Sequence, residues 1–169
     1  MIIDVSSILK EFGGRIDISD EIEISPIEAY GCTYRFNAPV NVNGAVTNNG
    51  TTLILKAKCT GVISTQCARC LKDIDVDFSF EVEETLIQGE EIPEEFEDVI
   101  VFEGYTVSLD EIITNNFIMN VSSRYLCKED CKGLCTSCGA DLNEGECGCD
   151  NEVIDPRWAA LADIIKKND

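Results

Sequence analysis

Six cysteines fall within residues 127–149, at Cys127, Cys131, Cys135, Cys138, Cys147 and Cys149, and the whole chain contains no histidine. Little in this stretch is apolar enough to set a shape by burial, so its order has to come from the sulfurs. Glycines stand among them at Gly133, Gly139, Gly145 and Gly148. A thiolate pair two residues apart followed by glycine, as in Cys135-Thr-Ser-Cys138-Gly139, has the spacing of a zinc knuckle. The turn points backbone N–H groups at the sulfurs, and glycine takes the left-handed conformation that the turn needs. Without histidine, an ion here is held by sulfur, which describes a closed structural site and not a catalytic one with a water position.

Six thiolates exceed what one tetrahedral ion takes. Cys67-Ala-Arg-Cys70 adds a second pair at knuckle spacing and brings the candidates to eight, enough for two sites of four. Cys135, Cys138, Cys147 and Cys149 form the preferred site. Cys127 and Cys131 join Cys67 and Cys70 in a second one, or the early pair completes a composite site; spacing leaves both open. A redox dithiol is the rival reading of Cys67 and Cys70, but that chemistry favours a thiol at a helix N-terminus, and this pair lies between two strand patterns. Cys32 and Cys59 have no partner at useful spacing and read as core thiols.

Alternation dominates the rest. Ile74, Val76, Phe78, Phe80 and Val82 interleave with Asp73, Asp75, Asp77, Ser79, Glu81 and Glu83, the pattern of an antiparallel strand with one face buried and one wet. Similar parity runs through Arg15–Ile18, Glu21–Ile24, Tyr34–Val42 and Leu53–Cys59, with Asn48-Asn49-Gly50 as a hairpin turn. Short helices are expected over Val5–Phe12, ended by Gly13-Gly14, and from Leu109 to Phe117 with Ser108 and Glu111 as a capping box. A third is expected after Asp155-Pro156 and runs to Lys167. The expected fold class is therefore α+β. An antiparallel β-rich body occupies residues 1–126, with an acidic loop at about 88–98, and a C-terminal cysteine-rich zinc-binding module with its helix occupies 127–169.

Acids outnumber bases by 32 to 13, a formal net charge of −19. Each four-thiolate zinc site adds about −2 more, from four sulfurs and one divalent ion. A surface this acidic repels a phosphate backbone and suits a basic protein or a basic ribonucleoprotein surface. Against that background, Lys56, Lys58, Arg69, Lys72, Arg124, Lys128 and Lys132 lie near the cysteines. They form a candidate local nucleic-acid contact, or else charges that offset the thiolates. Without histidine the usual base for a serine or cysteine nucleophile is missing, and no phosphate-cradling glycine loop occurs. A non-enzyme is expected. The N-terminal segment lacks the basic and apolar regions of a signal peptide, no run reaches membrane-span length, and ten cysteines suit a reducing compartment, so the expected location is cytoplasmic.

Taken together, Cys67-Ala-Arg-Cys70-Leu71, Cys131-Lys-Gly-Leu-Cys135-Thr-Ser-Cys138-Gly139, Asp141-Leu142-Asn143, Cys147-Gly-Cys149 and Asp155-Pro156-Arg157 resemble the YceD family, the large ribosomal RNA subunit accumulation proteins. The resemblance implies a role in ribosome biogenesis, supporting large-subunit rRNA processing or accumulation, with a basic ribosomal protein or pre-ribosomal particle as partner. It carries no catalytic residue. Asp155, Pro156 and Arg157, with Arg69 and Lys72, become candidate partner contacts. Some family members lack the distal cysteines yet keep Asp-Pro-Arg, which implies that structural Zn2+ stabilises the tail of this branch. The alternative function is a zinc-ribbon adaptor in transcription or nucleic-acid binding.

Overall fold

The computed structural model describes residues 1–89 and 98–149. It falls into two compact units, one of Met1–Cys67 with Asp73–Tyr125, the other of Ala68–Lys72 with the segment from Leu126 onward.

Nine strands and one helix make up the described part of the first unit. They are β1 (Ile2–Asp4), β2 (Arg15–Ile22), β3 (Ile27–Ala29), β4 (Cys32–Phe36), β5 (Val40–Asn48), β6 (Leu53–Gln66), β7 (Asp73–Gln88), β8 (Ile100–Phe102), β9 (Thr106–Ser108) and α1 (Leu109–Asn120). Strand β6 is the spine of a seven-stranded sheet. One of its edges pairs with β5 at its start and with β4 at its end. The other pairs with β7 along the full length, from Leu53 opposite Leu86 to Gln66 opposite Asp73, without interruption. Strand β2 lies outside β5, and β3 outside β4. A separate ribbon joins β1 to β9.

The body is strand-rich and antiparallel, as alternation predicts, with one exception: β8 runs parallel to the end of β7. The period-two pattern of β7 becomes a two-faced strand, with Phe80, Val82 and Leu86 buried and Asp73, Asp75, Asp77, Glu81 and Glu83 exposed. The helix α1 buries Leu109, Ile112, Ile113 and Phe117. Its Phe117 ring meets those of Tyr34, Phe36, Phe78 and Phe80 at centroid separations of 5.8, 4.9, 5.4 and 6.2 Å. Edge-to-face pairs of this kind contribute about 0.5–1.5 kcal/mol each beyond the area they bury.

Two helix expectations are corrected. Residues 5–12 form successive turns, with Leu9 N–H on the Val5 carbonyl and Glu11 N–H on that of Ile8. So few residues ahead of two glycines do not propagate a helix. Ser108 does occupy the cap position of α1, but its side chain makes no capping hydrogen bond. Met1, the residue before β1, meets the helix start instead: Leu109 N–H donates to the Met1 carbonyl at 2.9 Å, and the Met1 ammonium pairs with Asp110. Among the described residues α1 is the one helix, and none is long and apolar enough to cross a membrane. The helix expected after Asp155 and most of the acidic loop lie outside the described residues.

Candidate metal centre

The β6–β7 hairpin ends in the turn Cys67-Ala-Arg-Cys70, where Leu71 takes φ 58°. The chain crosses from the first unit to the second inside this turn, between Cys67 and Ala68. In the distal segment, Leu134 and Asp141 form an antiparallel bridge around a second turn, Cys135-Thr-Ser-Cys138-Gly139. Cys135 N–H donates to the Ala140 carbonyl and Gly139 N–H to that of Cys135, both at 2.8 Å. Gly139 has φ 75°, the left-handed value that the knuckle spacing requires of it.

Two groups of four sulfurs result. Cys135, Cys138, Cys147 and Cys149 form one, and Cys67, Cys70, Cys127 and Cys131 the other, with the sulfurs of each group all within 4.8 Å of one another. No disulfide joins any of the ten cysteines. Cys67, Cys70, Cys131 and Cys135 are buried, Cys147 and Cys149 half-buried, and Cys127 and Cys138 exposed. Each group can hold a metal ion. Cys59 lies apart from them, wholly buried in the core of the sheet, and burial pushes its thiol up to about 11.

Short polar contacts hold the module in register. The Asn143 amide nitrogen lies 3.4 Å from the Cys131 sulfur and 2.7 Å from a carboxylate oxygen of Asp141, while its oxygen accepts Lys132 N–H at 2.9 Å. The Arg69 guanidinium donates to the Cys131 carbonyl at 2.7 Å, and the Arg69 carbonyl accepts Leu134 N–H at 3.2 Å. Lys72 lies 3.6 Å from Asp141 and 3.7 Å from Glu144. Lys128 is 3.9 Å from Asp130. Several of the basic residues that the sequence placed near the cysteines thus have acidic or carbonyl partners within the module itself.

The electrostatics favour thiolates at some positions and oppose them at others. Backbone N–H groups of Cys138 and Ser137 point at the Cys135 sulfur and, with the Cys147 thiol, lower it to about 6. Burial works against ionising Cys131, but hydrogen bonds from Asn143 and the Gly133 N–H outweigh it and the thiol is lowered. Cys149, sharing protons with Cys138 and Cys147, is raised to about 12. Cys147 is raised as well: Cys149 N–H favours its thiolate, but hydrogen bonding to Cys135 and burial prevail. Four thiolates this close repel one another, so a cation is the natural means of ionising them together. Asn143 and Arg69 are the supporting residues, and spacing gives no sign of the first as a sulfur partner. Asp155, Pro156 and Arg157 lie outside the described residues.

Comparison with known proteins gives relatives without assigned roles. Uncharacterized protein ML1660 of Mycobacterium leprae is 26% identical over 140 residues, 77% of this chain and 61% of its own. Uncharacterized proteins Mb2951c of Mycobacterium bovis and Rv2926c of Mycobacterium tuberculosis are each 29% identical over 103 residues, 59% of this chain and 49% of theirs. The chain therefore spans about half to three-fifths of the length of these relatives. No solved structure matches it. A family model, described as large ribosomal RNA subunit accumulation protein YceD, matches residues 55–165, a span that takes in all eight clustered cysteines, and the chain belongs to that family.

Proposed function

We propose that the chain is a non-enzymatic ribosome-biogenesis factor that supports processing or accumulation of large-subunit rRNA, working through a basic ribosomal protein or pre-ribosomal particle. The observation that carries this reading is family membership across residues 55–165. The net charge of −19 supports a basic partner over naked RNA. Arg69 donates to the Cys131 carbonyl, and Lys72 and Lys128 have carboxylate neighbours within the module, so part of the local basic charge is balanced there. Among the candidate contacts, Asp155, Pro156 and Arg157 carry the proposed one.

The same reading assigns each sulfur group a structural Zn2+. Four sulfurs around one zinc, with bonds of about 2.3 Å, stand about 3.8 Å apart. The Cys70 and Cys127 sulfurs are 3.6 Å apart, and the sulfurs of each group all lie within 4.8 Å of one another, so the donors fit the ion. All four positions of each ion are then filled by protein, leaving none for a reacting water. Zinc would cross-link the segments that carry each group of four sulfurs, and cross-linking is the chemistry it supplies.

Depletion of the protein in its native cells, followed by profiling of precursor and mature rRNA, tests the role. The expected result is a deficit of mature large-subunit rRNA relative to the small subunit. Unchanged profiles overturn it. Salt titration of naked RNA binding tests the adaptor alternative, which requires a steep loss of affinity with added salt.

A further inference from the structure

One edge of β7 pairs with β6 along the whole strand, while β8 meets the other only at Leu86, Ile87 and Gln88. Among the described residues, no strand pairs with that second edge from Asp73 to Thr85. An extended strand directs the N–H and C=O of every second residue sideways, so this stretch presents a row of hydrogen-bonding groups ready for another chain. Natural sheets blunt such edges with charged side chains, above all lysine, or with proline, bulges, short length or a covering segment. Residues 73–85 contain no lysine or proline and their register with β6 has no bulge; their charges are all acidic, which deters an acidic or self-paired strand and admits a basic one.

The two faces of the strand define what fits beside it. On one face stand Asp73, Asp75, Asp77, Glu81 and Glu83. Glu83 is met by Lys56 at 2.6 Å, and Glu81 stands opposite Lys58. Asp73, Asp75 and Asp77 stand opposite the uncharged Gln66, Ser64 and Val62; Asp75 accepts hydrogen bonds from the Ser64 hydroxyl and from the Asn37 amide at 3.1 Å, and none of these neighbours is a cation. On the other side, Phe78 and Phe80 border a cleft of about 190 Å³ with Phe117, Val121 and Tyr125, and Asp77, Ser79 and Asn120 give it a polar rim. A second copy of β7 laid along this edge would set carboxylate beside carboxylate, which opposes self-pairing. A strand with cations on the acidic face and apolar side chains toward the cleft is complementary on both.

We propose that the edge of β7 from Asp73 to Thr85 accepts, as an added strand, an extended segment of a partner protein in which lysine or arginine alternates with apolar residues. Backbone pairing supplies the attachment and the aspartates select the cations. The proposal deepens the reading of a basic protein partner and rests on it for the identity of the donor, though not for the chemistry of the edge.

The test titrates the full zinc-loaded chain with four synthetic peptides, read by binding and by amide hydrogen exchange. One alternates lysine with valine, one has the same composition with the lysines in a block, and two are the alternating peptide N-methylated at every second residue, one on each parity. The alternating peptide should bind at least about tenfold tighter than the block peptide, a difference of about 1.4 kcal/mol. N-methylation should abolish that gain on one parity and spare it on the other. Alternate amides within residues 73–85 should become protected, and Asp75→Lys with Asp77→Lys should weaken binding at least about tenfold. Equal binding of block and alternating peptides overturns the proposal, as does indifference to N-methylation on both parities. Edge amides already as protected in the free chain as those facing β6 also overturn it, because the edge is then covered by the chain itself or by a second copy. Normal rRNA after depletion would remove the ribosomal role and leave these binding results standing, so the two failures are distinguishable.

Discussion

The side-chain amide of Asn143 lies 3.4 Å from the sulfur of Cys131 while also donating to Asp141 at 2.7 Å. One residue therefore links a thiol of one four-sulfur group to the polypeptide that carries the other. A neutral N–H donor beside a thiolate stabilises the anion and fixes the direction of its lone pairs, and groups in this position change metal affinity about 10–100-fold when removed. In zinc-loaded protein, Asn143→Ala should speed chelator-driven loss of zinc by about that factor. Asn143→Asp keeps the shape but sets a carboxylate against the sulfur, so it should lose metal faster than the alanine variant. Release rates equal to those of the unaltered chain would show that the contact does not support the site.

The partition of the sulfurs predicts a stoichiometry. Native mass spectrometry of protein purified without oxygen should find two zinc ions per chain. Cys135→Ser and Cys70→Ser should each leave one, because their sulfurs belong to different groups. If either variant loses both ions, the groups are not independent; if the unaltered chain carries none, the structural role assigned to zinc fails.

Cys59 should behave unlike every clustered cysteine. It is wholly buried opposite Phe80 in the β6–β7 ladder, and burial holds its thiol near 11, so almost none is thiolate at neutral pH. After chelation, alkylation should reach Cys127 and Cys138, the two exposed cysteines, while Cys59 stays unlabelled until denaturant is added. Peptide mapping that found Cys59 modified before unfolding would contradict its placement in the core.

What the sequence made legible follows from periodicity. The strict alternation from Asp73 to Glu83 marks β7, and Asn48-Asn49-Gly50 marks the turn between β5 and β6, where Gly50 has φ 99°. The ribbon of β1 and β9 was not legible, since three residues a side carry no countable period. It also explains the cap of α1, because the Met1 carbonyl, more than a hundred residues away in sequence, meets the helix start where Ser108 was expected to act. The knuckle at Cys135 and Cys138 could be read from spacing and glycine. Cys127 and Cys131 join Cys67 and Cys70 across some sixty residues of sequence, where Arg69 also meets the Cys131 carbonyl, and no local pattern encodes that pairing.

Tyr34 gives the fold a dependence on alkaline pH. Its hydroxyl donates to the Ser122 carbonyl at 3.0 Å from a buried position, and burial, followed by the neighbouring Cys32, raises it to about 12. The folded value exceeds the unfolded one of about 10, so the protonated form is the one folding prefers. Its contribution is fully present below pH 10 and is lost as pH rises toward 12. A tyrosine absorbance titration should show a component near 12 that disappears in Tyr34→Phe. That variant should also lose about 1 kcal/mol at neutral pH, the net worth of the hydrogen bond. A titration unchanged by the substitution would contradict the assignment.

The two knuckles differ at the residue that closes each turn, and the difference has a sign that can be measured. Gly139 follows Cys138 with φ 75°, and Leu71 follows Cys70 with φ 58°. Leucine in the left-handed region is strained by about 1–2 kcal/mol. Leu71 is 57% exposed, so its removal forfeits little burial. Leu71→Gly relieves the strain but adds about 0.5–1 kcal/mol of unfolded-chain entropy. The balance should leave the zinc-loaded protein more stable by up to about 1.5 kcal/mol. At Gly139 an added Cβ meets nothing within 4 Å, so Gly139→Ala introduces strain without collision. It should therefore destabilise the module by about 1 kcal/mol. Denaturant titrations of zinc-loaded protein should move in opposite directions for the two variants. A shift of the same sign in both would mean that the two turns do not share the geometry that their cysteine spacing implies.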